Sequence, residues 1–350
     1  MVDLERGAGE REVIPYKVDE TVRNLCKAGF KKMLLPPYKL LFSGFMAGLY
    51  IGLGFMFAIS MAAGFHPKLG FEIFRNSSLF KLMLGAVFPV GLIAVVLGGA
   101  ELWTGNVQVV AYPLLSRMAE LRRLIYNWIG VYGGNFIGSI FTAIFLSTLG
   151  TDLIGKNLFG DVVVSIMNGK LNLTFWNAFW RGVGCNILVN LAIWLSTRCK
   201  DYMGKMIALW FPVFAFVSIG FEHSIANMWV IPAGIIISKN YSLWFKFFFE
   251  NLLPVTLGNG VGGFIFISLY YWSLCQLRNE DVNGYGFAEA LKIVFEIFIG
   301  GFLTLSILCI IIPGLISYFL LPYFNDFFNN LFLAFTSIYY IILPWMLYHR

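Results

Sequence analysis

The sequence predicts an all-helical, multi-pass membrane protein built from two inverted three-helix modules, each with a break in its middle helix. Three observations predict it. Of 350 residues, 59% are hydrophobic and 13% charged, with a mean hydropathy of +0.76, whereas soluble domains carry about 25% charged residues. Uncharged runs at Tyr126–Gly150, Asn251–Leu277 and Ile297–Phe324 each exceed the ~20 residues that a helix needs to cross a bilayer. Finally, Gly99-Ala100-Glu101-Leu102-Trp103-Thr104-Gly105-Asn106 and Gly220-Phe221-Glu222-His223-Ser224-Ile225-Ala226-Asn227, 121 residues apart, share Gly-x-Glu-x-x-x-x-Asn inside apolar runs. The period-2 alternation of a barrel is missing, so closed helices must satisfy this backbone in lipid.

Residues 1–30 read as a polar arm with a short amphipathic helix near Thr21–Phe30. Pro36-Pro37 punctuates the chain before span 1, Tyr38–Gly64. A run from Leu82 to Leu115 is interrupted only by Glu101, and its partner from Met206 to Ser238 only by Glu222 and His223. Both are long for one span and short for a hairpin. We expect a half-span, a turn at Gly98-Gly99 or Gly220, and a second half running back or sideways. Span 3 (Tyr126–Gly150), span 4 (Trp176–Thr197) and span 6 (Asn251–Leu277) complete six.

The repeat extends further. Gly134-Asn135-Phe136-Ile137-Gly138 in span 3 matches Gly258-Asn259-Gly260-Val261-Gly262 in span 6. Lys32 precedes Gly44 by twelve residues, as Lys170 precedes Gly182. These matches delimit repeats at about 31–150 and 169–278 within a transport domain spanning 31–278. Three spans per unit point the copies in opposite directions. Gly44, Gly48 and Gly52, with Gly130, Gly134 and Gly138, form small-residue faces for close helix approach. The extension at 279–350 holds two more apolar runs, Ile297–Phe324 and Phe327–Tyr348, the second of which fits a span or an interfacial helix.

The net charge of +6 reflects loop placement rather than nucleic-acid binding. The segment up to Lys39 holds eight Lys/Arg, and 117–123 and 198–205 hold three each, with fewer in alternate loops. This pattern predicts a cytoplasmic N-terminus, and the expected location is the plasma membrane. No apolar stretch in the first 37 residues reads as a cleavable signal. Five cysteines lack CxxC or His-linked spacing, so neither metal nor cofactor is expected.

The motifs at 99–106 and 220–228, with Asn-Leu-Leu-Pro-Val-Thr-Leu-Gly-Asn at 251–259, resemble the formate/nitrite transporter family over about residues 28–275. The resemblance implies an aquaporin-like protomer in a homopentamer, one pore per subunit, moving formate, nitrite, hydrosulfide or lactate, often with a proton. Val183-Gly184-Cys185-Asn186-Ile187 resembles the protist, lactate-moving branch. By position, the family's central histidine falls on His223 and its threonine on Thr104. The apolar constriction falls on Leu92, Leu102 and Phe216, the vestibule lysines on Lys32 and Lys170, and the span-4 asparagine on Asn186. Trp103 stands where Phe is usual, and Arg181 places a charge where the family is apolar or small.

The chemistry fits small monovalent anions. An unpaired carboxylate in an apolar constriction costs many kcal/mol, and its neutral acid far less. With a pKa of about 4, roughly one molecule in a thousand is neutral near pH 7. Lys32 and Lys170 are read as anion collectors, or more plainly as cations at membrane ends. His223 suits proton donation or polarisation, or a structural role held neutral by Thr104. Glu101 and Glu222 are read as structural acceptors of backbone N–H groups at the breaks, with Asn106, Asn227, Asn186 and Asn259 serving freed backbone similarly. The leading reading is a proton-linked channel or transporter for formate or lactate. Its rivals are a nitrite or hydrosulfide channel, a non-conducting scaffold, and a membrane enzyme using Glu222 and His223. The last lacks a nucleophile, metal set or cofactor motif.

Overall fold

A computed structural model describes residues 15–151, 157–277 and 287–319, and all the regular structure among them is helical. Helix α1 (Val18–Met33) starts where the Lys17 N–H donates to Glu20 Oε2 at 2.9 Å. It lies on the bundle with Val22, Leu25, Cys26 and Met33 buried. Pro36 turns the chain into α2 (Pro37–Ala62), the first span, with proline at a helix start where no N–H is needed. Helices α3 (Ser77–Val87) and α4 (Pro89–Gly98) form a second continuous path of 22 residues, which Asn76 caps through Leu79 N at 2.9 Å.

After a break come two short helices, α5 (Trp103–Val109) and α6 (Ala111–Leu115), then α7 (Leu121–Phe141), prolonged by wide turns to Leu149. The second unit follows: α8 (Leu158–Leu171), α9 (Phe175–Arg198), α10 (Tyr202–Ile219), a break, and α11 (Ser224–Ser238). Its last span, Leu243–Cys275, joins α12 (Leu243–Lys246), α13 (Leu253–Gly263) and α14 (Tyr270–Leu277). A further span, Leu291–Phe319, contains most of α15 (Phe287–Glu296) and all of α16 (Leu303–Ser306). Among the described residues, seven helices are long and apolar enough to cross a membrane.

The two units are built alike. Helix α2 closes on α7 where Gly44 meets Gly134, and α9 closes on α13 where Gly182 meets Gly258. The breaks share one geometry: Gly99 (φ 75°) and Gly220 (φ 88°) both end their helices in the left-handed region, open to glycine without Cβ strain. Each broken element then packs into the opposite bundle, so that Trp229 of α11 meets Phe55 of α2 at 5.5 Å between ring centroids.

Two sequence expectations change. The parts before the breaks are not half-spans; Ser77–Gly98 and Tyr202–Ile219 reach 22 and 18 residues. Hydropathy begins the first at Leu82 only because Lys81 interrupts it, although Lys81 lies within α3. The second unit is led in by α8, the counterpart of α1, whose Asp161 and Lys170 hid it from an apolar scan. Of the two C-terminal runs, the first is helical through Phe319; Phe327–Tyr348 lies outside the described residues.

Candidate functional site

Each break is clamped by one asparagine of the third span. Asn135 Oδ1 accepts from Trp103 N at 2.9 Å, while its Nδ2 donates to Gly44 O and Glu101 O, both at 2.8 Å. Asn259 repeats this on Ser224 N at 2.9 Å, Gly182 O at 2.8 Å and Glu222 O at 2.9 Å. Both residues are fully buried. A carboxamide supplies both donor and acceptor, so it can satisfy either kind of freed backbone group in an apolar interior.

The glutamates do something other than expected. Glu101 Oε1 binds Lys32 Nζ at 2.7 Å, and Glu101 Oε2 accepts from Asn106 Nδ2 at 2.7 Å. Both Glu222 oxygens lie 3.0 Å from Lys170 Nζ, and Oε2 accepts from Asn227 Nδ2 at 2.7 Å. Asn106 and Asn227 also donate to Asn127 and Asn251, at 3.0 and 2.8 Å, and these in turn hold the carbonyls of Lys32 and Lys170, each at 3.2 Å. Among these contacts the carboxylates take no backbone N–H; the Asn135 and Asn259 amides do that, leaving the acids to neutralise lysines. The physical reason is charge: a carboxylate only 5% or 3% exposed (Glu101 and Glu222) needs a cation.

His223 caps α11. Its Nδ1 accepts from Ala226 N at 3.1 Å, and its Nε2 lies 2.9 Å from Thr104 Oγ1. With Nδ1 accepting, the neutral ring carries its hydrogen on Nε2 and donates it to the threonine hydroxyl. The imidazole stacks on Phe216 at 5.9 Å, and Phe216 meets Phe88 edge-on at 5.9 Å. Asn186 sits behind this pair rather than beside it. Its Nδ2 supports Thr104 O at 3.2 Å and Asn259 O at 2.6 Å, and Asn190 shares the Thr104 carbonyl at 3.1 Å.

Two cavities approach this centre. One of about 390 Å³ is lined by Lys32, Glu101, Leu92, Val95 and Leu102. The other, about 370 Å³, is lined by Lys170, Glu222, Phe88, Phe216 and His223. Leu92 and Leu102 line the first cavity and Phe216 and His223 the second, and all four are at most 3% exposed. Sequence reasoning missed Phe88, Asn127 and Asn251. Asn135 carried a signal, since it shares Gly-Asn-x-x-Gly with Asn259. No group of three metal-capable side chains occurs among the described residues.

A duplicated, membrane-crossing bundle with two lysine-bearing cavities defines a transmembrane channel or transporter. The sequence pattern of the formate/nitrite transporter family matches residues 19–273, and the chain belongs to that family. It is similar to a probable formate transporter of Methanothermobacter thermautotrophicus, 42% identical over 68% of this chain and 89% of the relative. A formate channel of Bacillus thuringiensis is 34% identical over 77% of this chain and 99% of its own length. A solved pentameric formate channel with formate bound superposes with a TM-score of 0.59 at 34% identity, covering 68% of this chain and 97% of the other. These relatives are channels and transporters, and the likeness carries the aquaporin-like fold.

Proposed function

We propose that this chain conducts formate and related small monocarboxylates together with a proton, one pore per protomer of a homopentamer, with its N-terminal arm on the cytoplasmic face of the plasma membrane. The observation that carries the reading is the His223–Thr104 hydrogen bond, set in an apolar waist between two lysine-bearing cavities. The named relatives act on formate, which favours it over lactate.

The waist sets the chemistry. A carboxylate stripped of water among Leu92, Leu102 and Phe216 is too costly to pass, so the permeating form is the neutral acid. His223 meets the anion as a hydrogen-bond donor: Nε2–H turns from Thr104 Oγ1 to the carboxylate oxygen, and α11 presents its positive N-terminal end to the same point. A second ring proton on Nδ1 would displace the Ala226 N–H bond that caps α11. The histidine therefore polarises and holds the carboxylate, while the transferred proton enters with the anion from the vestibule. Lys32 and Lys170, each tied to a glutamate, offer directed N–H donors rather than free charge.

Uptake of labelled formate, lactate and nitrite into vesicles across an imposed pH gradient tests this. Formate uptake should rise with inward acidification and exceed that of the other two. Uptake that ignores the proton gradient would sink the proton link, and faster nitrite flux would reassign the substrate.

A further inference from the structure

The cavity in front of His223 holds two cations without counterparts in the cavity across the proposed waist. Arg181 occupies the place of Ser43 in the duplicated scaffold: Glu222 N donates to Arg181 O at 3.2 Å as Glu101 N donates to Ser43 O at 3.3 Å. Arg181 and Lys81 line the same cavity of about 370 Å³ as Phe216 and His223. Both side chains are exposed, and among the described residues neither has an acidic partner within 4.0 Å.

Lys170, in contrast, is held by both oxygens of Glu222, so its charge is locally cancelled. The free positive charge of this cavity thus comes from Arg181 and Lys81. In the other cavity the lining charges are Lys32 and Glu101 alone, and Lys31 and Lys39 line an adjoining crevice that does not include Leu92 or Leu102. Phe80, Leu84 and Phe221 complete the wall beside the two cations, and a low-dielectric wall concentrates their field on an entering anion.

The geometry points to an outer binding position for a small carboxylate at Arg181 and Lys81, ahead of the Lys170–Glu222 pair and His223. It rests on the permeation reading above. The planar guanidinium matches a carboxylate with two parallel N–H bonds, and the ammonium adds a point charge. The site loads the anion before it meets the apolar waist, so it governs apparent affinity rather than the crossing step.

The test uses the full chain in vesicles of zwitterionic lipid, with labelled formate at ionic strengths of about 20 and about 300 mM. Arg181→Gln should raise the apparent half-saturation concentration roughly threefold at low salt, Lys81→Gln/Arg181→Gln more, and both little at high salt. Maximal rate and response to the pH gradient should be unchanged. In Arg181→Cys, an impermeant thiosulfonate reagent of positive charge should restore affinity and one of negative charge should worsen it, with the unmodified chain as control. An unchanged half-saturation, an equal loss at both salts, or the same effect from either reagent would overturn the site and leave Arg181 as a headgroup anchor. Failure of the permeation reading shows separately, as no formate uptake by the native chain. The site is then tested in Lys81→Cys, where formate but not uncharged formamide should slow thiosulfonate modification; no slowing overturns it.

Discussion

Leu102 and His223 occupy the same place in the two halves of the molecule. Each follows a left-handed glycine and a lysine-bound glutamate, and each precedes the first residue of a short helix whose N–H is held by a buried asparagine. In the permeation reading proposed above, one is an apolar plug and the other the imidazole that meets the anion. The same register pairs Val95 with Phe216, and the register that pairs Gly44 with Gly182 pairs Ser43 with Arg181. The groups that hold the break are duplicated and identical, whereas the groups that face the pathway have diverged. Holding a broken backbone in lipid permits few solutions, while a pathway needs different chemistry on its two sides.

The largest effects should fall on the shared frame and be equal in both halves. Asn135→Leu and Asn259→Leu each orphan one buried N–H and one carbonyl, that of Glu101 or Glu222, at about 1–3 kcal/mol per group. Either should abolish a well-assembled species in size-exclusion chromatography; a loss confined to one half would break the comparison. Next, His223→Phe should lower formate uptake by at least about tenfold with assembly intact, while Leu102→Met, a volume-conserving change, should leave uptake within about twofold. Comparable losses from both would mean that the halves do not differ in role.

The ion pairs are read in stability rather than in uptake. Lys170→Met strands Glu222, and removing one partner of a buried pair costs about 3–5 kcal/mol. Lys32→Met should cost less, because Lys32 is 25% exposed against 14% for Lys170. Thermal midpoints check the order, and Glu222→Gln in the Lys170→Met background should recover much of the loss. The smallest concerns His66, in the loop before α3, whose Nδ1 accepts from Leu69 N at 3.1 Å and Lys68 N at 3.3 Å. Burial, helped by Lys68, holds its pKa below the usual 6.5. The unfolded chain therefore takes up a proton first as pH falls through 6.5, so the His66 contribution is intact above that value and fades below it. His66→Ala should flatten this slope in the thermal midpoint; an unchanged slope would remove His66 as its source.

Much of this was legible in the sequence, because duplication writes the frame twice. A glutamate or a Gly-Asn pair in an apolar run is costly once and informative when repeated, so the breaks, the inversion and Asn259 could be read. Helix α8 could not, since its charges mask a surface helix. Nor could the contacts of Asn106 and Asn227 with Asn127 and Asn251: Asn251 opens the motif at 251–259, but only packing brings either residue to its partner. The position of Asn186 behind Thr104 depends equally on how α5 enters the opposite bundle.

Gly260 stands where the first half has Phe136, one residue after the clamping asparagine. A side chain there would overlap the ring of Phe302, which the seventh span inserts from outside the duplication and which also rests on Trp128 at 4.9 Å. The second module thus borrows an aromatic wedge that its twin owns. Cutting the chain before Phe287 would pull that wedge out and leave a hollow beside Asn259, so the appended helix behaves as a keystone and not a tail.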